Sequence, residues 1–174
     1  MEVQMFSRLM EHLERISDWV NIASKYLIVA ILTAMVAFTC FQVFCRYVFN
    51  SALSWPEEMN IFFMAWLTFV GSSIALKQSA HIGVDLFINF LPAKVRRLIL
   101  TIGHCFMFVF LLLLVDTGYS VAVMNLGNFS EALEIPLIIP RLSLVVGGLM
   151  MLLQMVYILF RDIDALIGSG EVAA

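Results

Sequence analysis

The sequence predicts an all-α integral membrane protein with four transmembrane helices. It also predicts an N-terminal amphipathic helix at the membrane surface and a second, short surface helix on the same side. Three observations carry this. Tyr26–Cys45, Met59–Leu76, Leu98–Val115 and Leu142–Phe160 contain no Asp, Glu, Lys or Arg over 18 to 20 residues each. At about 1.5 Å per residue, each run covers most of a hydrocarbon core of roughly 30 Å. The chain is 62% hydrophobic and 13% charged, where a soluble domain carries roughly 25% charged residues. Backbone groups in hydrocarbon must pair within their own segment, so runs of this length are expected to be helices.

Taken in order, the first element is residues 5–20. Met5, Phe6, Leu9, Leu13, Ile16 and Val20 recur every three or four positions, and Arg8, Glu11, Glu14, Arg15 and Asp18 fill the other side. That is the pattern of an amphipathic helix, and Trp19 near its end suits an interface, so residues 1–25 are expected to lie in the membrane surface. Glu2, Glu11, Glu14 and Asp18 stand where a secretory signal has a basic start and an apolar core, so the first span is expected to be retained.

That span is expected over 26–49. It carries Arg46 close to one interface, where an arginine must snorkel or pair. Glu57 and Glu58 are the nearest acids in sequence, as a clasp closing the hairpin or, with Arg46, an anchor for a partner. Ser54-Trp55-Pro56-Glu57 fits a capping box, and Pro56 suits a first turn, so the second span is expected over 55–76. Gly71 and Ala75 in this span, and Gly147 and Gly148 in the fourth, let another helix approach closely.

Asp85–Leu91 is too apolar for a free loop and too short to span, which predicts the second surface helix, closed by Pro92. His81 and Asp85 are four apart and share a hydrogen bond if that turn is helical, but two ligands do not make a metal site. The third span is expected over 98–124, past Asp116. Pro136 and Pro140 are expected to break the chain before the fourth, over 142–160. Residues 26–165 thus form the membrane domain and 166–174 a flexible tail.

Basic residues give the expected orientation. Arg8, Arg15, Lys25, Lys77, Lys94, Arg96, Arg97 and Arg161 fall on one side, and only Arg46 and Arg141 on the other. The positive-inside rule puts both termini in the cytoplasm. The net charge of −3 gives no sign of a nucleic-acid partner. Cys40, Cys45 and Cys105 all lie in apolar runs and read as packing residues. His104 lies within the third helix, but haem in a bundle usually needs a second axial ligand at matching depth. Gln42 and Gln154 are expected to bond across helices.

No nucleophile–base pair, phosphate loop or metal cluster is evident, so neither an enzyme nor a cofactor is expected. The midplane is nearly free of charge, no span is interrupted by Pro, and no repeat relates the halves. That pattern disfavours a chain that transports alone. The reading is an accessory membrane subunit. The alternative is a self-contained homo-oligomeric channel or a haem-carrying subunit.

One ordered series is more specific. Arg46-Tyr47-Val48-Phe49-Asn50, Trp55 with Glu57-Glu58, Trp66 with Phe69 and Gly71, and His81 with Val84-Asp85 resembles the small membrane subunit of TRAP (tripartite ATP-independent periplasmic) transporters. The resemblance implies a scaffold for a large multi-spanning subunit of the bacterial inner membrane. That partner moves an organic acid (dicarboxylate, keto acid, sugar acid or sialic acid) with sodium, and a periplasmic binding protein delivers the substrate. Sodium is expected on the large subunit and no cofactor on this chain. Arg46, Tyr47, Asn50, Trp55, Glu57, Glu58, His81 and Asp85 hold the motif positions. They are expected at the subunit interface or the lipid contact beside it, away from substrate.

Overall fold

The computed structural model describes residues 2–78 and 93–171, with side chains over 11–78, 95–96 and 98–161. Within them the chain forms four helices: α1 (Glu2–Val48), α2 (Trp55–Lys77), α3 (Ala93–Met124) and α4 (Ile138–Glu171). Each contains a segment long and apolar enough to cross a membrane. The expected surface helix over 85–91 lies outside the described residues, as do His81 and Asp85.

α1 is one unbroken helix of 47 residues. The boundary expected at residue 25 is absent, for a local reason: no Gly or Pro occurs from Glu2 to Val48. At about 1.5 Å per residue it is roughly 70 Å long, more than twice a hydrocarbon core. Half-buried Leu13 and Val20 belong to the same side as buried Ser17, Ser24 and Ile31. The amphipathic stripe is thus the start of a bundle-facing side that continues into the span.

α2 begins at Trp55 with Pro56 in its first turn, but Ser54 has helical dihedrals and makes no side-chain cap. The expected capping box is not formed; the Ser54 carbonyl accepts the Glu58 N–H at 3.4 Å instead. α3 runs to Met124, eight residues beyond Asp116. α4 starts at Ile138, so Pro140 lies inside its first turn instead of breaking the chain before it. A missing N–H costs nothing there, because first-turn donors have no partner within the helix. α4 then continues through the segment read as tail, to Glu171.

The bundle is built around α4. Its most apolar window is 39% buried, against 17% in α2 and 6% in α1 and α3. α4 packs against the other three helices, and α1 also packs against α2. Leu76, Leu111, Met151, Met155 and Ile158 form the core where α2, α3 and α4 meet.

Close approach is set by glycine. A Cβ on Gly147 would lie 2.8 Å from the Phe69 carbonyl carbon of α2, and one on Gly148 2.7 Å from Val115 Cγ2 of α3. A Cβ on Gly118 of α3 would lie 2.8 Å from Leu144 of α4. Gly71 is looser, 3.4 Å from Ile28 of α1, and Ala75 is exposed.

Candidate partner interface

Three polar groupings stand out in this apolar bundle. The first is at the end that carries the 49–54 and 125–137 connections, called here the distal end. α1 stops at Val48, and Asn50 follows with φ 51°. The Phe49 and Ser51 N–H groups donate back to the Cys45 carbonyl at 3.1 and 3.4 Å. Asn tolerates this left-handed conformation better than most residues, so Asn50 serves as the helix's C-terminal cap.

Trp55 opens α2 against Phe38 and Phe41 of α1, with ring centroids 5.7 and 6.1 Å apart. Arg46 and Tyr47 are exposed on the last turn of α1, and Glu57 is exposed on the first turn of α2. Neither Glu57 nor Glu58 forms an ion pair with Arg46, so the Arg46–Glu clasp is not formed.

Glu58 is engaged elsewhere. Its carboxylate accepts the N–H groups of Ala132 and Leu133 at 2.9 and 3.2 Å, with a further bond to the Ser130 side chain. The 125–137 connection is itself folded. The Ser130 N–H donates to the Ile135 carbonyl at 2.9 Å, and the Leu137 N–H to Asn128 at 2.8 Å. Glu58 therefore ties this loop to the head of α2. Nearby, Arg141 donates to the Leu137 carbonyl at 3.1 Å and borders an apolar groove of about 390 Å³ between α2 and α4.

The second grouping lies at the opposite end, where the termini are. The buried Ser17 hydroxyl donates to Gln154 Oε1, and Gln154 Nε2 donates to the Ser17 carbonyl at 3.2 Å. Lys77 closes α2 on Asp18 at 2.5 Å. Both contacts tie the first third of α1 to α2 and α4. Gln154 bonds across helices as expected, and Gln42 reaches the Leu53 carbonyl at 3.4 Å.

The third is Asp116, which lies inside the span expected over 98–124. Its neighbour Val115 packs at Gly148, close to the middle of the α4 span Ile138–Arg161. A carboxylate therefore lies well inside the apolar layer, on an exposed part of α3. No ion pair reaches it among the described residues. A charge at the membrane centre costs about 2.5–3.5 kcal/mol on insertion scales. The signal was present in sequence, since Tyr119, Val121, Val123 and Met124 continue the apolar run past it.

His104 is half-buried on α3, and among the described residues no three His, Cys, Asp or Glu side chains come together. The motif positions that are described share the distal end but do not converge on a pocket. Three of them, Asn50, Trp55 and Glu58, act within the fold.

Four apolar spans with polar groups used to fasten one helix or loop to another define a multi-pass helical membrane protein. The family described as tripartite ATP-independent periplasmic transporters, DctQ component, matches residues 35–165, and the chain belongs to this family of small TRAP membrane subunits.

The C4-dicarboxylate TRAP transporter small permease protein DctQ of Vibrio cholerae is 32% identical over 144 residues, 79% of this chain and 62% of that protein. The chain thus spans less than two thirds of that relative. The sialic acid TRAP transporter small permease protein SiaQ of the same organism is 25% identical over 174 residues, 100% of this chain and 95% of that protein. The sialic acid TRAP transporter permease protein SiaT of Haemophilus influenzae is 27% identical over 128 residues, 70% of this chain but 20% of that protein.

Proposed function

We propose that this chain is the fixed scaffold of a three-part uptake system and has no catalytic step of its own. It would hold a larger multi-spanning subunit in the bacterial inner membrane, with both termini in the cytoplasm. The larger subunit would carry an organic acid together with sodium, and a periplasmic binding protein would deliver the acid. The family match over residues 35–165 carries this reading. The match to one fifth of SiaT supports a large partner, because there a segment like this chain is part of a much longer permease.

The internal use of polar groups fits the same role. Gln154, Glu58 and Lys77 hold helices and loops together, which suits a part that stays fixed while another moves. The excess of Lys and Arg on the terminal side supports the orientation. The organic-acid class follows the relatives, one named for a C4-dicarboxylate and one for sialic acid.

The deciding experiment is recovery of a tagged version of this chain from its native membranes, with mass spectrometry of what accompanies it. A much larger multi-spanning protein in equal amount is the expected result. Recovery of this chain alone, as a homo-oligomer, would return the channel reading to first place.

A further inference from the structure

The exposed surface of the bundle has two long apolar faces of different chemistry. One is the outward side of α1. Tyr26 and Tyr47, exposed by 74% and 82%, lie 21 residues apart on it. That separation is about 32 Å along a helix, close to the thickness of a hydrocarbon core. Aromatic rings at both ends of a core-length interval mark a lipid-facing surface. No Asp, Glu, Lys, Arg or His interrupts α1 between Lys25 and Arg46. The hydroxyls of Thr33 and Thr39 donate to the Val29 and Met35 carbonyls of their own helix at 2.8 Å, leaving little unmet polarity.

The other face is on α3. Leu111, Gly118 and Ala122 face the bundle and are buried. At about 100° per residue, Ile102, Val109, Leu113, Asp116 and Ser120 then point away from it, and all are exposed. Asp116 is therefore directed outward from the bundle near mid-depth. Ionisable residues within a membrane almost always meet a protein partner or a water-filled cavity. Lipid tails offer no donor. A second copy related by a two-fold axis would bring two carboxylates towards each other, a repulsive pairing.

From these observations we propose that the outward face of α3 seats a helix of the larger membrane subunit. That helix presents a cationic or hydrogen-bond-donating side chain to Asp116. The inference rests on the scaffold reading above and adds to it which face makes the contact.

The test uses the tagged full-length chain in its native membranes, with photo-crosslinking residues placed at Val109 or Leu113 on α3 and at Val29 or Val36 on α1. Adducts with a much larger polypeptide from the α3 positions, and none from α1, are expected. Asp116→Leu should reduce the partner recovered with the tagged chain roughly three- to thirty-fold, the range spanned by one interhelical polar contact in a membrane. Asp116→Asn, which still accepts a hydrogen bond, should lose less, and both variants should reach the membrane in wild-type amount.

Large-partner adducts from α1 alone overturn the face assignment and leave the scaffold reading intact. So does full recovery of the partner with Asp116→Leu. Adducts of twice this chain's mass replace the proposal with self-association. Failure to recover any large partner with the wild-type chain overturns the scaffold reading itself.

Discussion

The carboxylate of Glu58 stands at the head of α2 and accepts two backbone N–H groups from the 125–137 connection. Those donors have no helical or ladder partner, so the loop's conformation depends on the acid. Glu58→Ala is expected to speed amide exchange at Ala132 and Leu133 several-fold, while exchange within α2 stays unchanged. The same measurement on Glu57→Ala should show no effect, because Glu57 is exposed and does not bond the loop. Gln154 is the matching residue at the other end. Replacing it with Leu removes both contacts to Ser17, although the Ser17 hydroxyl can then bond back to its own helix. A loss of about 1–2 kcal/mol is expected, read as a lower melting temperature of the purified chain in detergent.

At the scale of elements, α4 is the part on which the bundle depends. Its Gly147 and Gly148 face different neighbours, α2 and α3, so one dipeptide sets two helix approaches. Gly147→Ala places a methyl group against the α2 backbone, which cannot swing aside as a side chain can. A cost of about 1–3 kcal/mol is expected, again as a lower melting temperature. Gly103→Ala is the control: a Cβ there meets nothing within 4 Å, so the isolated chain should keep its stability or gain slightly. The small-residue pattern around Gly147 was legible in the sequence. Gly118 and Ala122 form a small pair at the same four-residue spacing as Gly71 and Ala75, but the contact of Gly118 with Leu144 exists only once α3 and α4 are adjacent.

At the scale of the whole molecule, the chain exposes long apolar surfaces on α1 and α3, as a membrane protein must, and lipid alone satisfies most of them. The exception is Asp116 on α3. It makes the chain chemically incomplete at that face and leads to the expectation that a larger partner is recovered through α3. Whole-molecule behaviour also separates the two ends. The Lys77–Asp18 pair is partly exposed, with side chains 14% and 57% accessible, so Asp18→Ala should shift stability by no more than about 1 kcal/mol.

Composition and run length by themselves determined that this protein is helical, lies in a membrane and crosses it four times, because hydrocarbon forces backbone groups to pair within each segment. The ordered motif from Arg46 to Asp85 was enough to point to the family. Element ends were less legible. The join of surface helix to span, the place of Pro140 and the missing cap at Ser54 each turn on how neighbouring turns pair, and several sequences satisfy either outcome. Only the tertiary structure decided that α4 is central, that Glu58 holds a loop instead of Arg46, and that Asp116 points away from the bundle. Those facts depend on which helices are neighbours and at what rotation, and hydropathy, being similar all round these helices, does not encode that choice.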